Sequence, residues 1–208
     1  MVFKRIGLAM AVLWFSAPLS ADLFSPKVAI WARVLHGHEK QVFGVAFLRD
    51  GYQLATGCKG GLVNYWDSDG LLLRRDRRPQ QIFFLHQSPV SDRLYVTRMD
   101  GSLEIRTTKG KPVIVTGHTN YINAVAENPD GRTFATASED RKLILWTVGG
   151  EKLRQLEDHK QAVTTVDYHP KGMEFASGSR DNTIKLWKRN GELDRKSTRL
   201  NSSHVSES

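Results

Sequence analysis

Cysteine is nearly absent: Cys58 is the only one among 208 residues, so no intrachain disulfide can staple the fold. Long apolar runs are also missing. The longest, Ile6 to Ser20, falls short of the roughly 18 apolar residues at which a membrane-spanning helix becomes the natural reading, so no stable span is expected. Charge of one sign is scarcer than the net +8 suggests. Lys4 and Arg5 supply two of those charges and the segment after Leu193 one, which leaves about five. Of these, three come from Arg74-Arg75-Asp76-Arg77-Arg78, read as a solvated edge strand protected by charge. No nucleic-acid partner is expected.

What the chain has is repetition. The stretch Thr116 to Trp146 begins with Gly117-His118 and continues into an alternating run, Ile122 to Ala126, whose period of two suits a strand with one buried face. Asn128-Pro129-Asp130-Gly131 is a turn, because proline presets φ and glycine closes the reversal without steric cost. Phe134 to Ser138 and Leu143 to Trp146 form two further short strands, separated by the polar turn Glu139 to Lys142. Trp66 and Trp146 are 80 positions apart, two periods of 40, and Trp187 follows 41 later. His38, His118 and His159 keep the same intervals. Midway between the first two units, SDRLYVTRMDGSLEIR has the strands and the turn but carries Arg106 where tryptophan falls. A lone unit of this kind would expose two apolar faces and two unpaired edges, so the units must stack.

The units resemble the WD-repeat β-propeller family over roughly residues 28 to 193. That resemblance implies an all-β propeller of four-stranded blades. Repeats are expected at 37–77, 78–115 (degenerate), 116–157 and 158–193, the last without an outer strand. It also implies a buried tetrad of histidine, strand Ser/Thr, turn aspartate and tryptophan. Here these are His118, Thr136, Asp140 and Trp146, and His159, Ser177, Asp181 and Trp187, with Asp158 in place of the usual glycine. The first repeat offers His38, Thr56 and Trp66, with Gly60 at the aspartate position; the second keeps only Asp100, with Arg78, Val96 and Arg106 in the other places. Histidine with serine and aspartate invites a hydrolase reading, but recurrence in register assigns these residues to structural hydrogen bonding. No metal or other cofactor is expected, because His36, His38 and His169 have no further ligands at metal-site spacing.

The resemblance further implies that partners dock on residues just after the histidine and just before the turn aspartate. By position these are Glu39, Gln41, Lys59, Thr119, Tyr121, Glu139, Lys160 and Arg180, with Tyr121 the best anchor. The expected function is a non-catalytic scaffold for an unidentified protein or peptide. Residues 1–21 have the layout of a secretory signal: a basic start, an apolar run and small residues before Asp22. Export to the periplasm or outside the cell is therefore expected. Two alternatives stay open: a docking propeller on a larger exported enzyme or electron-transfer protein, and an intracellular scaffold with a misassigned start. Residues 22–36 form a lead-in containing a candidate closing strand, Lys27 to Leu35. Asp194 to His204, DRKSTRLNSSH, reads as the translation of a widely used short-read sequencing adapter. Residues 194–208 are accordingly expected to be non-native, and the four blades an open fragment of a larger ring.

Overall fold

The computed structural model describes residues 34–194. The leader, most of the candidate closing strand and all but the first residue of the tail lie outside the described residues; Val34 and Leu35 belong to no strand. From Leu35 onward the described chain folds as one unit.

Fifteen strands form four antiparallel sheets and no helix occurs among the described residues. The first sheet is β1 (Val42–Phe47), β2 (Gln53–Cys58), β3 (Leu62–Asp67) and β4 (Leu72–Arg77), paired in that order. The second is β5 (Ile82–Gln87), β6 (Leu94–Arg98), β7 (Leu103–Arg106) and β8 (Val113–Val115). β9 (Ile122–Glu127), β10 (Thr133–Ser138), β11 (Leu143–Thr147) and β12 (Lys152–Leu156) make the third. The fourth has three strands, β13 (Val163–Tyr168), β14 (Glu174–Ser179) and β15 (Ile184–Lys188), with a single bridge from Trp187 to Leu193 where the other sheets have an outer strand.

Turn chemistry sets these reversals. Between the first two strands of the first sheet, Leu48 N–H bonds the Gln53 carbonyl, while Asp50 Oδ1 accepts from the Tyr52 and Gln53 amides. Asn128 and His169 make the equivalent backbone bond to Thr133 and Glu174 in the third and fourth sheets. The next turn of each sheet requires a left-handed residue at one position: Gly61 and Gly101 fill it, and Arg141 and Asn182 adopt positive φ there at 73° and 64°.

Consecutive sheets bury their facing surfaces against one another, which gives three cores between the four sheets. The first core joins Ala55, Val63 and Tyr65 to Ile82, Leu85, Leu94 and Val96 of the second sheet. A second core sets Tyr95, Leu103 and Ile105 against Ile122, Val125, Phe134, Ile144 and Trp146. The third sets Ala135, Ala137, Leu143 and Leu145 against Val163, Val166, Phe175 and Trp187. Phe134 stacks on Trp146 at 6.2 Å and Phe175 on Trp187 at 6.1 Å, cross-strand pairs that fill the same place in consecutive sheets. The described sheets thus form an open series of blades, with no ring closure among them.

Candidate partner-docking face

Local bonding holds the turns of each blade in place. In the third blade Trp146 Nε1 donates to Thr136 Oγ1 at 2.9 Å, Thr136 Oγ1 bonds His118 Nε2 at 2.7 Å, and His118 Nδ1 donates to Asp140 Oδ2 at 2.8 Å. Asp140 also accepts from the Thr119 and Lys142 amides, so one carboxylate ties two loops together. The fourth blade repeats the chain through Trp187, Ser177, His159 and Asp181 at 2.8, 2.8 and 2.9 Å. Burial opposes ionisation of Asp140 and Asp181. The hydrogen bonds of His118 and Thr183, with those of the loop amides, outweigh it and hold both carboxyls below the usual range. Asp158 accepts from Lys185 Nζ, a polar link at the place where blades one and three have glycine against an uncharged partner.

The first blade keeps two of these bonds, Trp66 Nε1 to Thr56 Oγ1 at 2.8 Å and Thr56 Oγ1 to His38 Nε2 at 2.7 Å. With Gly60 at the aspartate position, His38 Nδ1 is buried and has no hydrogen-bond partner. The second blade departs entirely. Glu104, 1% exposed, accepts from Arg78 at 3.0 and 3.1 Å, from Arg98 at 2.5 Å and from Arg106 at 2.7 Å. Arg106 reaches back to Tyr65 and Asp76 of the first blade at 2.6 and 2.5 Å. Two sequence expectations need correction here. Asp100, grouped with the tetrads by position, instead caps its own turn through the Ser102 amide and hydroxyl. Within the basic run, Arg74, Arg75 and Arg77 are solvent-facing, but Arg78 and Asp76 are drawn into this charged cluster.

At the first strand of every blade the ladder carries a β-bulge at one shared position. Val42 pairs with Cys58 and Gly44 with Gly57, leaving Phe43 unpaired; the same slip isolates Phe83, Asn123 and Thr164. A bulge turns its extra side chain out of the alternation. Phe43 and Phe83 lie 6.1 Å apart, and Phe83 meets Tyr121 at 4.5 Å, so a row of rings crosses three blades. Asn123 continues it, donating to Glu139 and to the Val163 carbonyl, and Arg180 pairs with Glu139 at 2.5 Å. The loop beside the row is pinned alike in all four blades, by amides of Lys59, Met99, Glu139 and Arg180 bonded to the carbonyls of Gln41, Gln81, Tyr121 and Ala162.

The structure therefore brings Gln41, Lys59, Tyr121, Glu139 and Arg180 to this rim. Thr119 and Lys160 sit beside it with their amides held by Asp140 and Asp181, and Glu39 is exposed on the first-blade loop. Sequence reasoning missed Phe43, Phe83 and Met99. The available signal was that Phe43 and Phe83 are one period of 40 apart, as are Lys59 and Met99. Among the described residues no group of three or more His, Cys, Asp or Glu side chains could hold a metal ion, and no helix is long and apolar enough to cross a membrane.

Serial antiparallel blades, each braced by polar side chains at the same register, define a β-propeller repeat protein. Residues 31–67, 110–147 and 150–188, together more than half of the chain, match the family described as WD domain, G-beta repeat. The chain belongs to that WD-repeat family. The interval between the first two matches, residues 68–109, holds β4 and then β5 to β7, three strands of the blade built on Glu104. Among curated proteins the chain is 30% identical over 122 residues to Echinoderm microtubule-associated protein-like 2 of Homo sapiens, covering 55% of this chain and 18% of that protein. It is 27% identical over 164 residues to Guanine nucleotide-binding protein subunit beta of Arabidopsis thaliana, covering 67% and 41% respectively. A 61-residue stretch is 34% identical to Target of rapamycin complex subunit wat1 of Schizosaccharomyces pombe, covering 29% and 19%. The chain spans less than half the length of each of these relatives.

Proposed function

We propose that this protein is a non-catalytic scaffold, exported behind the leader of residues 1–21, that holds a protein or peptide partner on the rim built from the bulge residues. The observation that carries this reading is the aromatic row Phe43–Phe83–Tyr121, set beside the Glu139–Arg180 pair on loops that backbone bonds make rigid. Aromatic and arginine anchors on a preorganised surface are what protein recognition uses. Thr136 and Ser177, the hydroxyls with a histidine and an aspartate in line among the described residues, are buried and engaged by Trp146 and His118 and by Trp187 and His159, which closes both to a substrate carbonyl. Two of the relatives are named as subunits, of a guanine nucleotide-binding protein and of a target of rapamycin complex, which supports a protein partner. The signal layout ending at Ala21 supports export.

Affinity capture from the exporting host, with cross-linking and N-terminal mass analysis, tests both parts. The recovered chain should begin at Asp22. A cross-linked partner should fall at least about tenfold for Phe83→Ala with Tyr121→Ala, and similarly for Arg180→Ala, with circular dichroism unchanged. Equal recovery from wild type and variants would reject the rim, and a retained Met1 would reject export.

A further inference from the structure

At two of the three seams between consecutive blades, the tryptophan of the later blade shares an apolar core with the outer strand of the earlier one: Trp146 with Val115, and Trp187 with Leu156. At the seam between the first and second blades the same two register positions carry Arg106 and Asp76, paired at 2.5 Å. Tyr65 stands there where Ile105 and Leu145 stand in the next two blades. Arg49 occupies the turn position at which the other blades have Pro89, Pro129 and Pro170. Charge in place of core packing lowers stability, and departures of this kind collect at functional sites.

The result is a cleft of about 790 Å³ between two complete blades, at the opposite strand ends from the aromatic rim. That size suits a small organic ligand. Arg106, 8% exposed, commits Nε to Glu104 and Nη1 to Tyr65 and Asp76, while Nη2 has no hydrogen-bond partner among the described residues. Arg74 lies over the Tyr65 ring at 4.2 Å and meets Asp76 through Nη2 at 3.2 Å. Arg49 has no hydrogen bond or ion pair among the described residues. The aspartates of the lining are engaged: Asp50 caps its own turn, Asp92 holds Thr108, and Asp76 holds Arg106 and Arg74. Four arginines, counting Arg78, against these three aspartates leave one positive charge in excess, and Glu104 behind them is matched by Arg98. Leu48, Leu73 and Leu94 give the cleft an apolar wall.

From this geometry we infer that the cleft binds an organic monocarboxylate with an apolar body. The carboxylate meets Arg106 Nη2 with Arg74 and Arg49, since a guanidinium matches a carboxylate in shape as well as charge, and the body lies on the leucines. A free carboxylic acid and the C-terminal residue of a peptide share this chemistry.

Titration of the full chain with 3-phenylpropionate, followed through backbone amide shifts in NMR, reads the site. A Kd of about 5 mM or tighter is expected, with the shifts centred on Leu73, Thr107 and Thr108. The uncharged 3-phenylpropionamide should bind at least about tenfold more weakly. Arg49→Pro and Arg74→Val install the residue types that Pro129 and Val113 supply at the same register, so the fold should hold. Together they should weaken binding of the acid at least about tenfold, as should Arg106→Gln alone. Tighter binding of Gly-Gly-Phe with a free carboxyl than of 3-phenylpropionate marks a peptide terminus as the occupant, and weaker binding marks a free acid. Equal affinity for acid and amide, affinity unmoved by the double variant, a Kd for the acid above about 5 mM, or shifts centred on Phe83 and Tyr121 overturns the inference.

Discussion

Thr136 is the residue on which the third blade's polar chain turns, since its hydroxyl serves both Trp146 Nε1 and His118 Nε2 inside the core. Thr136→Val keeps the shape and removes the oxygen, leaving two buried polar groups unpaired. Each such group costs about 1–3 kcal/mol, so urea unfolding should show a loss of about 2–4 kcal/mol. The same change at Thr56 should cost less, because His38 is only half-buried. These residues were legible because tryptophan and histidine recur at fixed intervals. Asp100 keeps the bond to its own turn amide that Asp140 and Asp181 also make; with Arg78 in the histidine's place, it has no imidazole to hold.

Blades differ most in what stands between the first two. Glu104 stands where the other blades carry Asn64, Ile144 and Lys185, and three arginines converge on it. Removing one member of a buried charge group leaves the others uncompensated, so Glu104→Leu should destabilise by about 3–5 kcal/mol in thermal or urea unfolding. Replacing Glu104, Arg98 and Arg106 together by apolar residues of similar volume should cost much less, which would show that the penalty comes from stranded charge rather than from lost volume. The strands of the third blade were legible from alternation and turn residues; β9 falls where the alternating run Ile122 to Ala126 places it. The bulges were not. A bulge adds one residue without interrupting the apolar pattern, so Phe43 reads as one more strand residue until the pairing is known. Nor did the run Arg74–Arg78 reveal that two of its members face inward, because a strand's two faces carry the same residue types when both are polar.

Across the whole molecule, acid should act in two steps. Burial, with the positive charge of Arg75, lowers His38; burial lowers His86 against the opposing fields of Glu127 and Asp167. A histidine lowered in the folded state gives stability that is present above about pH 6.5 and lost as pH falls through its folded value. Asp140 and Asp181 are lowered too, so their contribution is present above about pH 3.9 and lost below it. The thermal midpoint should therefore fall first below pH 6.5 and again below pH 4, and His86→Leu should flatten the first step while leaving the second. A midpoint that stays level from pH 7 to pH 5 in wild type would contradict this assignment. The serial arrangement of blades was legible at this scale, since repeating units with two apolar faces can only stack; how each face pairs was not, because register sets it.

The family matches do not coincide with the sheets. Residues 110–147 contain β8, the outer strand of the second blade, followed by β9 to β11 of the third; residues 150–188 contain β12 and then β13 to β15. Genetic duplication of one such unit would therefore finish the sheet before it and open the one after it, lengthening the series without stranding an edge.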